Sequence, residues 1–126
     1  MPIKFDATEA PRFIRFNVIG EWPSPDDQQR VRNALVATGQ LTARTCALVD
    51  LRELKAVPDF ATARGIVDAA VRDHGWPSTQ AYLVGSATQF GFVRQLQLYA
   101  PSGTVVALFT SELEAALWAS RILDAL

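Results

Sequence analysis

Hydrophobic and polar residues follow two different periods along this chain, and each change of period marks an element. Residues 13–19 read FIRFNVI, with Phe13, Ile14, Phe16, Val18 and Ile19 mostly alternating with polar side chains, the two-residue period of a strand with one wetter face. Residues 3–8 form a weaker strand pattern, and the two segments predict a hairpin. Ser24 precedes Pro25 and has Asp27 three positions on, a capping-box variant with proline at the first helical position. It predicts a helix running to about Thr38, with Val31, Ala34, Leu35 and Thr38 as its inner stripe.

Three strand-then-helix units follow. Residues 46–51, CALVDL, are a nearly continuous apolar run, the pattern of a strand covered on both faces. The helix after it is expected to start near Pro58 or Asp59, to carry Phe60, Ala63, Val67, Ala70, Val71 and His74 on one face, and to end at Gly75 with Pro77 just beyond. The second unit is a strand over 81–86, AYLVGS, with a helix from Ala87 to Tyr99 closed by Pro101. The third is a strand over 104–109, TVVALF, with a helix capped by Ser111 and Glu114 that runs to about Leu123. The expected order is β-β-α-β-α-β-α-β-α, an α/β domain spanning 1–126. Its mixed five-stranded sheet carries four helices, with parallel pairing through right-handed crossovers and an antiparallel N-terminal hairpin.

Composition narrows the function classes. Twelve Lys and Arg against thirteen Asp and Glu leave a net charge of -1, and no basic run or stripe is present to attract a phosphate backbone, so nucleic acid is not an expected partner. No apolar stretch approaches the roughly 20 residues needed to cross a bilayer. Cys46 has no second cysteine to pair with, and MPIKFDATEA lacks the features of a secretory leader, so a cytoplasmic location is expected.

This element order, with VDL (Val49, Asp50, Leu51) closing the third strand and LFTSELEAALWAS near the C-terminus, resembles the STAS domain superfamily and its SpoIIAA-like, STAS/SEC14-type bacterial branch. Phe109, Thr110, Glu112, Glu114, Ala115, Ala116 and Trp118 hold the positions of that branch's closing pattern. In anti-sigma-factor antagonists of the superfamily, the third strand leads into a turn whose serine is phosphorylated by a partner kinase. The matching segment here is Val57-Pro58-Asp59-Phe60-Ala61, with no serine or threonine before Thr62, so the resemblance implies a related domain without that switch. Asp59 reads either as a helix N-cap or as a permanent charge in place of the phosphate.

Candidate chemistry is sparse. His74 is the sole histidine, which removes clusters of histidine and cysteine as metal sites, and no cofactor is implied. His74 suits the last turn of its helix, and Cys46 suits a small buried position in a strand. Ligands of open α/β sheets gather at the C-terminal ends of the parallel strands, and those ends place Asp50, Arg52, Glu53, Gly85, Ser86, Thr88, Thr110 and Ser111 on one pole. Ser86 and Ser111 are also plain helix caps there. An enzyme would need Asp50 or Glu53 as a base, with a second ionisable group in reach.

The last two helices have apolar residues on both sides. Phe92, Val93, Leu96 and Tyr99 suffice as the inner stripe of the third helix, which leaves Phe90 and Leu98 around Arg94 on the other side. On the fourth, Leu113, Ala116, Leu117 and Leu123 are expected inside, with Trp118 and Ile122 turned away. Trp22 and Trp76, beside prolines in loops, are expected to cover the ends of a core or to rim a pocket. Together with the sparse chemistry, the resemblance implies a non-enzymatic STAS-like domain that works through protein contacts, as a homodimer or within a regulatory complex, with Phe90, Arg94, Leu98, Asp59 and Thr62 as expected interface residues. The alternative is a carrier of a small apolar ligand or lipid among Phe90, Phe92, Trp118 and Trp22.

Overall fold

In a computed structural model of the chain, residues 3–59, 61–65, 68 and 77–125 are described. The elements are β1 (Ile3–Asp6), β2 (Phe13–Val18), α1 (Pro25–Ala37), β3 (Cys46–Asp50), β4 (Thr79–Leu83), α2 (Ala87–Tyr99), β5 (Val105–Phe109) and α3 (Glu112–Ala125), with residues 61–65 and 68 helical between β3 and β4. The five strands lie in chain order, β1 antiparallel to β2 and the others parallel. This is the mixed α/β topology expected from the alternation of strand and helix patterns. Val67, Ala70, Val71, His74 and Trp76, and with them the expected end of that helix, lie outside the described residues, as does Phe60.

Strand parity divides the core between two faces. On one face, Ile14, Phe16 and Ala47 pack with Val31, Leu35 and Leu41, while Val18, Tyr82 and Val84 pack with Leu51, Leu54, Ala63, Phe92, Val93 and Leu96. On the other, Leu48, Ala81 and Leu83 meet Ala115, with Phe13, Ala107, Phe109 and Trp118 around them. Trp22 meets the Phe92 ring edge-on at 5.2 Å and closes the end of the first core, as expected of a loop tryptophan.

Two expected helix faces are corrected. On α1 only Val31 and Leu35 are buried, whereas Ala34 and Thr38 are exposed. Thr38 is the C-cap, and its hydroxyl donates to a carbonyl of the last turn instead of packing. On α3 the expected sides are exchanged for all but Leu123, whose side chain lies outside the described residues: Ala115 and Ala119 are buried, Trp118 and Ile122 half-buried, and Leu113 and Leu117 are 69% and 50% exposed, with Ala116 also exposed. Small residues at 115 and 119 let the helix backbone approach the sheet, and Trp118 reaches sideways to Phe109, ring centroids 5.8 Å apart. Glu112 holds the rotation by pairing with arginines of the sheet and its loop. A helical wheel weighs hydrophobicity and knows nothing of that pairing.

β4 starts at Thr79 and ends at Leu83, displaced toward the N-terminus from the expected 81–86. Gly85 and Ser86 are instead used to turn the chain, Ser86 accepting from the Gln89 N–H as the N-cap of α2. Gln89 then makes a contact that periodicity hides. It is buried within the apolar stripe of Phe92, Val93 and Leu96, where its Oε1 accepts from the Gly85 N–H at 2.8 Å and its Nε2 donates to the Leu54 carbonyl at 3.1 Å. One side chain thereby joins the loop after β3, the loop after β4 and α2. Gln89→Ala leaves a loop N–H and a loop C=O without partners, and a loss of about 1–3 kcal/mol is expected in urea unfolding with the m-value unchanged.

Candidate functional site

At the C-terminal pole, the side chains that the fold brings together are Arg15, Asp50, Arg52 and Glu112. Strand register sets Asn17 of β2 opposite Asp50 of β3, so Arg15 and Asp50 share the face that carries α3. Asp50 is 6% exposed and ends β3. Its carboxylate accepts from Arg15 Nη2 at 2.8 Å, Arg52 Nη2 at 2.8 Å, Arg52 Nε at 3.1 Å and the Arg52 backbone N–H at 3.0 Å. The same two guanidinium groups hold Glu112, with Arg15 Nη1 donating at 2.7 Å and Arg52 Nη2 at 2.8 Å. Arg15 Nε is taken by Asn17 Oδ1 at 3.2 Å. Gly85 makes room for the arrangement, because a Cβ there would lie 3.3 Å from Arg52 Cγ.

The electrostatics follow from that geometry. Burial pushes the Asp50 carboxyl up, but hydrogen bonds from Arg52 and then Arg15 outweigh it and hold the group below its usual value. Glu112 is lowered chiefly by its hydrogen bond from Arg15, and both arginines are raised, Arg15 first by Glu112 and Arg52 first by Asp50. With four donors on its carboxylate, Asp50 has its acceptor positions filled and its proton affinity depressed, the opposite of a poised general base.

Of the pole residues expected from the sequence, Asp50 and Arg52 belong to this cluster. Glu53, Ser86, Thr88, Thr110 and Ser111 make no hydrogen bond or ion pair with it among the described residues. Glu53 is exposed and uses its backbone carbonyl to receive the Gly20 N–H. Ser86 and Ser111 act as caps, Ser111 accepting from the Glu114 N–H at 3.4 Å. Thr88 and Thr110 are exposed. Arg15 and Glu112 were the missing members. The signal for Arg15 was a charge on the polar side of an alternating strand; Glu112 had only its place in a first helical turn and in the closing pattern of the resemblance, neither of which points to Arg15 or Arg52.

The turn after β3 is a helix start. Asp59 Oδ1 accepts from the Thr62 N–H at 2.8 Å and its backbone carbonyl accepts from the Ala63 N–H, the geometry of an N-cap. Asp59 and Thr62 are both exposed, and the bonds from Thr62 hold the Asp59 carboxyl below its usual value.

A different surface lies over α2 and β5. Phe92, Val93 and Leu96 are buried and Tyr99 half-buried, so the inner face of α2 is filled while Phe90 is 43% and Leu98 75% exposed. Arg94, exposed between them, donates to Gln97 Oε1 at 2.8 Å. Gln97 in turn donates to the Val106 carbonyl at 2.8 Å, which places this side of α2 over the outer edge of β5. A shallow groove of about 630 Å³ runs there between Arg94, Gln97 and Leu98 on one side and Thr104 and Val106 on the other. β5 ends the sheet, and its Val105 is 52% exposed.

Folding stability is expected to report the Asp50 cluster directly. Carboxyl pKa values depressed in the folded state contribute stability above the ordinary carboxylate value, and the contribution disappears as pH falls through the lower folded value. Unfolding free energy of the wild-type chain should therefore decline on acidification below about pH 4, and Asp50→Asn should flatten that decline. At pH 7, Asp50→Asn is expected to cost about 2 kcal/mol, less than a wholly buried pair because both guanidinium groups reach water. Glu112→Gln, on the exposed side of the same cluster, should cost under about 1 kcal/mol. Chemical denaturation at a series of pH values measures all three.

No family model matches the chain, and no curated protein matches it. Among solved structures, it is similar to an uncharacterized protein of the DUF3478 family from Shewanella loihica PV-4, described as having a SpoIIAA-like fold. The superposition gives a TM-score of 0.62 at 17% sequence identity and covers 93% of this chain and 91% of that one. The sheet order, the crossovers and this likeness agree, and the chain has a SpoIIAA-like α/β fold.

Proposed function

We propose that the chain is a non-enzymatic, STAS-like protein-binding domain that engages its partner through α2 and the adjoining edge of β5. The observation that carries this reading is the exposure of Phe90 and Leu98 on a helix whose inner face is already filled, beside a terminal strand with an exposed valine. A large apolar side chain left in water gains roughly 1.5–3 kcal/mol when a partner covers it, and two flanking one cation make a compact anchor. The Asp50 cluster supports the same reading from the other side. Its arginines and carboxylates neutralise one another and tie β2, the loop after β3 and α3 together, which is the work of a brace.

The regulatory variant of this reading does without a phosphorylated serine, since Asp59 occupies that ground as a helix cap. The apolar-carrier alternative has less to rest on: Trp22 and Phe92 pack together on one face of the sheet, Trp118 packs with Phe109 on the other, and Phe90 is at the surface. Those aromatic residues do not converge on one cavity.

Phe90→Asp combined with Leu98→Asp should leave the circular dichroism spectrum and thermal midpoint close to wild type while weakening association at least about tenfold. Sedimentation and quantitative affinity recovery are the measurements. Leu113→Asp with Leu117→Asp, on the exposed face of α3, is the control and should leave association unchanged. Equal binding by the Phe90/Leu98 variant would place the interface elsewhere.

A further inference from the structure

We infer that Gln97 is an edge guard: its carboxamide, held in place by Arg94, caps the outer side of β5 and keeps that strand from pairing with another chain. The inference concerns the backbone at the end of the sheet and holds whether or not a partner docks on α2.

Strand parity shows what has to be guarded. The Val105 N–H donates to the Ser78 carbonyl and the Phe109 carbonyl accepts from the Val84 N–H, so the odd residues of β5 turn their backbone groups to β4. Alternate residues of a parallel ladder point the other way, which turns the N–H and C=O groups of Val106 and Leu108 outward. An open edge of that kind is a template for a further strand, and natural proteins blunt it with charge, proline, a bulge or a covering helix. The two ends of this sheet differ in that respect. β1 reads IKFD and carries Lys4 and Asp6, both exposed. β5 reads VVALF, with no charge and no proline, a composition that pairs readily when its edge is bare.

What β5 has instead is Gln97. Its Nε2 donates to the Val106 carbonyl at 2.8 Å, and Arg94 Nη1, one turn earlier on α2, donates to its Oε1 at 2.8 Å. With the amide oxygen engaged by the guanidinium, the nitrogen is the end presented to the strand. The inward side chains of Val106 and Leu108 pack against the core that holds Phe92, Val93 and Leu96, so α2 is fixed beside the strand and carries Gln97 with it. An incoming strand has to displace Gln97 before it can reach the Val106 carbonyl, and it breaks one hydrogen bond there for the one it makes. Only two of the five residues of β5 face outward, so occupying one of them removes much of what a further strand could hold.

Gln97→Ala removes the cap at a helix position where alanine carries no propensity cost. Gln95→Ala is the control, on the same helix, equally half-buried, and without a side-chain bond to β5 among the described residues. At neutral pH and well below the thermal midpoint, light scattering and sedimentation should show Gln97→Ala self-associating at least about fivefold faster than wild type, with Gln95→Ala at the wild-type rate. Gln97→Met removes the donor in a second way and should behave as Gln97→Ala does. Gln97→Lys restores a donor and sets a charge at the edge, and should return the rate to that of wild type. The associated material should keep the helical circular dichroism of the folded chain, because intact sheet edges are what meet. Equal rates for Gln97→Ala and Gln95→Ala, a Gln97→Lys chain as fast as Gln97→Ala, or association only after the helices are lost overturns the guard.

Discussion

A carboxylate shut off from water must be surrounded by donors, and in this protein that requirement falls on Asp50. Left alone at 6% exposure it would destabilise the fold or take up a proton. Arg15 from the neighbouring strand and Arg52 from its own loop answer it, and the two positive charges they bring exceed the one they neutralise. Glu112 restores the balance. Because Glu112 opens α3, satisfying one buried charge also sets the rotation of the helix that covers a whole face of the sheet. The outward turn of Leu113 and Leu117 and the inward turn of Ala115 and Ala119 follow from that constraint.

The pole where ligands gather in open α/β folds is here largely committed to structure. Asp50 is saturated, Ser86, Ser111 and Asp59 are caps, and Gly85 gives room to the Arg52 stem. Gln89 completes the bracing by joining two of the loops at that end to α2. Chemistry-bearing residue types can collect at a functional pole simply because strand ends and helix starts demand polar side chains. The surface without such a structural account is on the flank, where α2 overhangs the last strand.

Much of the architecture was legible before any coordinates. α2 falls on its expected bounds, Ala87–Tyr99, because Ser86 and Pro101 punctuate it on both sides. β3 ends one residue before its expected limit, since Asp50 is the last residue its ladder holds. β4 was less legible: TQAYL is half polar, and Gln80, which donates to the Pro77 carbonyl and accepts from the Tyr82 hydroxyl, disguises the start of the strand. In the candidate site, Phe90 and Leu98 stood out as surplus on a wheel already filled, and they are exposed. Arg15 and Glu112 did not, because they are 97 residues apart and nothing local to either refers to the other.

The sequence by itself determined the order of elements, the parallel sheet with its antiparallel start, the capped helix beginnings and the filled face of α2. All of these arise from periodicity and turn chemistry acting over a few residues. Tertiary structure alone decided which face of α3 meets the sheet, which polar residues of the pole join into one cluster, and that β5 ends the sheet beneath α2. Those outcomes depend on charges and backbone groups brought together from distant parts of the chain, where the cost of leaving a buried charge unpaired exceeds the gain from hiding one more leucine.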